Sequence, residues 1–272
     1  MKIIDAHMHL FDPGEYVDEM AASVGHKDSS PEGMQKLYRE MGVCGAVVMG
    51  NQVLTEDAYQ FPEMFHYCIG VGDFARPTAP DAETIRLMEL HLKRPACAGI
   101  KVYIGYASIY ADDPCLLPYY RLAEKYHKPV AFHTGMTAGS MGFLQYAHPL
   151  TIDSVAAQFP DVQFVLCHFG NPFLSEAAAV MEKNANVAAD LSGMLDGVTD
   201  LDRYFEKQKG YIGLLRTWIS YVDDDSRFMF GTDFPAVNIP NYIEFIQRLI
   251  DRDSWKKVFF DNADRIYQLG LK

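Results

Sequence analysis

Lys2-Ile-Ile-Asp-Ala-His-Met-His9 opens the chain as an apolar run that closes on two histidines one residue apart. Strand side chains alternate with a period of two, so His7 and His9 leave such a strand on one face, at its carboxyl end. Two imidazoles so placed are either a metal-ligand pair or a chance pair on a solvated strand end. Three further stretches repeat the pattern of an apolar strand that ends in an ionisable side chain. They are Pro129-Val-Ala-Phe-His133, Phe164-Val-Leu-Cys-His168 and Arg227-Phe-Met-Phe-Gly-Thr-Asp233. The repetition is what makes a candidate site out of the first pair.

Working outward, eight short apolar runs cover 2–8, 43–50, 65–72, 97–104, 129–134, 162–168, 186–192 and 227–233. Several are continuous rather than alternating, such as Gly45-Ala-Val-Val-Met-Gly50, as strands buried on both faces of a parallel sheet require. Helical spacing fills the gaps at Ala82 to Leu92, Tyr119 to Tyr126 and Ser154 to Phe159, with Pro149 suited to a first turn and Thr151 or Asp153 to caps. Alternating strands and helices predict an α/β chain folded as a (β/α)8 TIM barrel. Neither a glycine-rich dinucleotide fingerprint nor a Walker loop is present, because Gly70-Val-Gly72 lacks the third glycine. With no linker or repeat in sight, one domain over 1–272 is the expectation. In such a barrel the strand ends and following loops form the active site, where positions 7, 9, 133, 168 and 233 would meet.

Composition narrows the function classes. A net charge of -12, from 36 acidic and 24 basic residues without a basic cluster, argues against nucleic acid as a partner. Asp112-Asp113 and Asp223-Asp224-Asp225 read as turn and cap residues on a solvated exterior. Five cysteines, Cys44, Cys68, Cys97, Cys115 and Cys167, include no Cys-x-x-Cys pair and suit buried reduced thiols. No run approaches membrane-spanning length and none reads as a signal segment, so a cytoplasmic protein with no membrane partner is expected.

Asp5-Ala-His7-Met-His9, His133-Thr-Gly, His168-Phe-Gly and Gly231-Thr-Asp233-Phe-Pro together resemble the amidohydrolase superfamily. The stretches Ala147-His-Pro-Leu-Thr-Ile-Asp-Ser-Val-Ala156, Phe159-Pro-Asp161 and Asn262-Ala-Asp-Arg-Ile-Tyr267 resemble its amidohydrolase-related (amidohydrolase 2) branch of metal-dependent hydrolases, lactonases and non-oxidative decarboxylases. The resemblance implies that His7, His9, His133 and Asp233 bind one divalent metal. Their donors suit Zn2+, with Mn2+ and Fe2+ also compatible. It implies further that the metal activates water, that Asp233 accepts the water's proton and passes it to the leaving group, and that His168 polarises the carbonyl or relays a proton. The alternative is that His133 or His168 alone is a core histidine and Asp233 a cap, which the shared strand-end pattern makes the weaker reading. His26, His66, His91 and His127 read as structural or surface residues, and His148 as marking a helix entry.

Lys101, in Gly99-Ile-Lys-Val-Tyr103, is open to three readings. It is a substrate-binding cation that acts with Tyr103, a partner of a neighbouring acid, or a carboxylated bridge of the binuclear kind. Asp190 and Ser192 are candidates to line the pocket or to cap a loop. The glycine-dotted segment from Thr134 to Ala147, with Met136, Met141, Phe143 and Tyr146, is either a lid or a contact with a subunit partner, such as a second copy in a homodimer. The leading expectation is hydrolysis of an amide, ester or lactone bond in a small carboxylated substrate. A decarboxylase of aromatic or unsaturated acids, a non-catalytic metal- or ligand-binding barrel and a TatD-like deoxyribonuclease are the rivals.

Overall fold

The computed structural model describes residues 1–10, 15–72, 76–140 and 142–271. Eight parallel strands follow one another around the barrel in chain order: β1 (Ile3–Met8), β2 (Val43–Met49), β3 (Phe65–Val71), β4 (Cys97–Val102), β5 (Val130–Phe132), β6 (Phe164–Leu166), β7 (Val187–Asp190) and β8 (Phe228–Met229). Each lies within an expected run. The runs are longer because they include the strand-end residues that turn out of the sheet, as Cys167–Gly170 does after β6. The ring is drawn together between β8 and β1, where Ala6 N donates to Phe230 O at 2.9 Å and Asp233 N to His7 O at 2.8 Å. The fold is a (β/α)8 TIM barrel.

Two apolar layers account for the alternation. Phe132, Phe164, Leu166, Val187 and Phe228 face outward onto the helices, while Ala131, Val165, Ala188 and Met229 fill the inside. The small inner residues leave room for a lysine stem and for imidazoles at the carboxyl end. The other mouth is plugged by Ala263, Ile266, Tyr267 and Leu269. Asn262 holds that plug by donating through Nδ2 to Asp225 O at 2.6 Å and Phe228 O at 2.7 Å. The segment from Ala263 to Leu269 therefore closes the barrel floor.

β1 departs from strict alternation. Ile4 and Ala6 pack inside, yet Met8 belongs to the outer layer, and the pairing with β2 shifts register between Asp5 and Met8. This bulge turns His7 and His9 inward together, with Met8 facing out between them. Asp5 points outward and anchors the bulge. It accepts from Tyr38 Oη and Thr232 Oγ1, both at 2.6 Å, from Thr232 N at 2.9 Å and from His7 N at 3.2 Å. Burial lifts its carboxyl to about 6 against those four donors.

The helix Ala82–Leu92 has the expected bounds, with Asp81 accepting from Thr84 N at 2.8 Å. Tyr119 to Tyr126 begins earlier, as Leu117–Tyr126. The cap expected from Thr151 or Asp153 is supplied instead by His148, whose Nδ1 accepts from Leu150 N at 3.4 Å. Pro149 starts a 3-10 turn there, which leaves Thr151 and Asp153 inside helical turns; Asp153 binds Lys183 and Asn184 instead. Asp224 caps a turn through Ser226 N, and Asp113 accepts from Cys115 N, as expected of the two acidic runs. All five cysteines are free thiols. Among the described residues no helix is long and apolar enough to cross a membrane.

Candidate metal centre and its cavity

The carboxyl ends of β1 and β8 bring three expected ligands together. His7 Nε2 lies 3.3 Å and His9 Nε2 3.2 Å from Asp233 Oδ1, and one donor atom from each residue fits within a 4.8 Å group. His133 stands beyond this trio, across His168, with its Nδ1 3.2 Å from His168 Nε2. The His168 ring is 4.7 Å from that of His7 and 4.9 Å from that of His133. His168 and Asp233 both adopt positive φ, at 62° each. Such strain in non-glycine residues persists where surrounding contacts over-determine it.

Proton accounting shows why these atoms need a cation. His7 Nδ1 donates to the Asp190 carboxylate at 2.9 Å, so a neutral His7 presents a bare Nε2 lone pair to Asp233, and no hydrogen bond satisfies that atom. His133 Nε2 donates to the Met136 carbonyl at 3.0 Å, which leaves a lone pair on Nδ1. Ser192 Oγ spends its proton on Asp190 Oδ1, so the 2.8 Å contact with His168 must be a donation from Nδ1, leaving a lone pair on His168 Nε2. These tautomers follow from the hydrogen-bond network. Burial keeps His133 well below its ordinary range and pushes His168 down to about 4, which maintains both as neutral imidazoles. Burial and Lys101 pull His7 down as well, but Asp190 and Cys167 outweigh them and hold it well above its ordinary range, so without an ion His7 carries a second proton on Nε2, whose place a metal ion would take. The lone pairs of His133 Nδ1 and His168 Nε2, which face each other at 3.2 Å, repel unless positive charge lies between them, and beside Asp233 Oδ1 the nitrogens of His7 and His9 at 3.3 and 3.2 Å need a proton or a metal ion in the same way. The donor set, imidazole nitrogens and one carboxylate, fits a divalent metal ion.

Asp190, at the end of β7, connects the halves of this centre. One carboxylate oxygen orients His7; the other accepts from His168 N at 2.9 Å, Ser192 N at 3.2 Å and Ser192 Oγ. It both caps the loop and orients candidate ligands, a combination that periodicity alone does not reveal. Gly193 follows at φ +62°, where an added Cβ would lie 2.9 Å from His168 Nδ1 and 3.5 Å from Asp233 Oδ2. Gly193→Ala is expected to cost about 1–2 kcal/mol through backbone strain and to displace His168. Urea denaturation reads the cost, and unchanged stability would mean that the loop yields freely.

An amidohydrolase family model (Amidohydro_2) matches residues 4–269. This chain belongs to the amidohydrolase family. No curated protein matches it significantly. Among solved structures, this amidohydrolase resembles an uncharacterised TIM-barrel protein from Bordetella bronchiseptica, with 20% identity, all of both chains covered and a TM-score of 0.71. It also resembles a 2,6-dihydroxybenzoate decarboxylase from Rhizobium, with 14% identity, 99% of each chain and a TM-score of 0.67. A third similar structure is a probable 2-pyrone-4,6-dicarboxylic acid hydrolase from Acinetobacter baumannii, with 14% identity, 98% of this chain and 100% of that one, and a TM-score of 0.65. At these identities the likeness concerns the fold.

Over the centre of the amidohydrolase lies a cavity of about 540 Å3 that reaches His133, His168 and Asp233. The expected substrate contacts Lys101 and Tyr103 do not line it. Lys101 is completely buried beneath the centre, its Nζ 2.8 Å from Cys167 Sγ, and Tyr103 is buried beside it. Lys101 lies on β4 before the strand end, so its side chain points into the barrel rather than towards the mouth. Tyr106, three residues past Tyr103, does line the cavity and packs against His133 at 4.9 Å. Asp196, Tyr204 and Tyr211 also line it and were not singled out in sequence, since nothing in their spacing ties them to the histidines.

Part of the proposed lid forms a cavity wall through Met136, Thr137 and Ala138; Ala138 N donates to Tyr106 Oη at 2.8 Å. Phe143 is exposed, and Met141 lies outside the described residues. His148 belongs to its helix entry. His26 and His91 bond backbone carbonyls of Val237 and Thr55.

Proposed function

We propose that this amidohydrolase hydrolyses an amide, ester or lactone bond of a small molecule, using one divalent metal, Zn2+ by preference. His7, His9 and Asp233 would hold the metal, with His133 Nδ1 completing the set. The observation that carries this reading is the convergence of imidazole nitrogens and the Asp233 carboxylate at a cavity large enough for a small substrate. When bound, the ion supplies Lewis acidity, which brings the pKa of coordinated water towards ~7 and polarises a carbonyl.

The chain's own residues supply the rest. Asp233 is partly exposed, and although desolvation raises its carboxyl, His168, His7 and His9 outweigh that and hold it well below the ordinary range, so it is ionised and ready to accept a proton from the attacking water. The same oxygen then delivers the proton to the leaving atom. His168 Nε2 carries a lone pair, so this residue accepts or relays a proton and does not donate to a substrate carbonyl. Asp190 and Ser192 hold the His7 and His168 rings in the required tautomers.

Hydrolysis is favoured over loss of carbon dioxide by the charge of the wall: among the described lining residues none is lysine or arginine, and Asp196 adds a carboxylate. Elemental analysis of protein purified without chelators tests the metal. About one equivalent per chain is expected, lost in His7→Ala/His9→Ala. Acid release from a panel of lactones, esters and anilides tests the reaction. Carbon dioxide release from hydroxybenzoates without hydrolysis of the panel would replace it with decarboxylation. About two equivalents would return Lys101 to the role of carboxylated bridge.

A further inference from the structure

Part of the cavity wall belongs to neither the candidate ligands nor the proton-accepting residues. Asp196, on the loop after β7, shares the cavity with Tyr204 from the helix Leu201–Lys207 and Tyr211 from the helix Lys209–Val222. Among the described residues nothing gives the Asp196 carboxylate a hydrogen bond or an ion pair. Although its surface is open to the cavity, partial burial, with Asp233 adding to it, raises its pKa. Tyr204 and Tyr211 are half-buried phenols within reach of its charge, and burial keeps both protonated. Tyr211 Oη donates to Met194 O at 3.3 Å, which fixes one of the two rings.

No described lining residue is lysine or arginine, whereas Asp196 and Asp233 both line the cavity. The fixed charge of the described wall is therefore negative. A carboxylate placed beside Asp196 meets repulsion, whereas a cation neutralises it and gains the faces of nearby aromatic rings. We propose that Asp196, with Tyr204 and Tyr211, is a specificity subsite for a protonated amine carried by the substrate. This rests on the hydrolase reading only in supposing that the remainder of the substrate reaches the metal centre. It reverses the carboxylated substrate expected from the sequence, whose basis was Lys101.

The test is isothermal titration of the metal-loaded full chain at pH 7 with three inert probes of one shape: benzylammonium, benzyl alcohol and benzoate. Benzylammonium should bind about tenfold more tightly than benzyl alcohol. Asp196→Asn should abolish that preference, and Asp196→Lys should move it towards benzoate. A preference that survives Asp196→Asn, equal binding of the alcohol, or no measurable binding of benzylammonium would overturn the subsite. Failure of every lactone, ester and anilide to react, with the ammonium preference intact, would overturn hydrolysis and leave the subsite standing.

Discussion

Asp233→Asn is expected to lower kcat/KM by about three orders of magnitude on whichever lactone or ester the native protein turns over fastest. The carboxylate accepts a proton in the proposed step and a carboxamide cannot. Because Asn retains an oxygen donor and nearly the same shape, the protein should stay folded and KM should change far less than kcat. Acid release followed against substrate concentration separates the two constants. Activity within tenfold of the native protein would move the proton-accepting role to His168, whose Nε2 lone pair faces the same space.

Asp190→Ala should produce the largest loss of stability, about 3–5 kcal/mol. The substitution strips acceptors from His7 Nδ1, His168 N, Ser192 N and Ser192 Oγ, all of them buried. It should also weaken metal binding by about 10–100-fold, because His7 loses the partner that sets its tautomer. Asp190→Asn keeps one acceptor oxygen and should fall between the two proteins. Urea denaturation of metal-stripped protein isolates the folding effect, and competition with a chromophoric chelator reads affinity. A stable Asp190→Ala with native metal affinity would reduce Asp190 to a dispensable loop cap.

Much of this was legible in one chain because strands buried on both faces leave continuous apolar runs, and four of those runs end near a candidate site residue. Gly45-Ala-Val-Val-Met-Gly50 needed no more than that, nor did Phe164-Val-Leu-Cys167 with His168 behind it. Lys101 was misplaced by the same logic. Position along a strand says which face a side chain takes but not how deep it lies, and Lys101 is held under the floor of the centre against Cys167. Asp196, Tyr204 and Tyr211 left no signal because a loop and two helices contribute them, and no period relates those elements to the strand ends.

By itself the sequence determined the class of fold, the order of its strands and that His7 and His9 share a face. Those properties follow from local periodicity and from the burial that a parallel sheet imposes. Tertiary structure decided which face that is. Alternation counted from Ile4 would send both histidines outward, and the bulge between Asp5 and Met8, anchored on Tyr38 and Thr232, turns them in. It also decided the protonation of the imidazoles, since a tautomer is set by the partner of the other ring nitrogen. For His7 and His168 those partners, Asp190 and Ser192, lie 183 and 24 residues away along the chain.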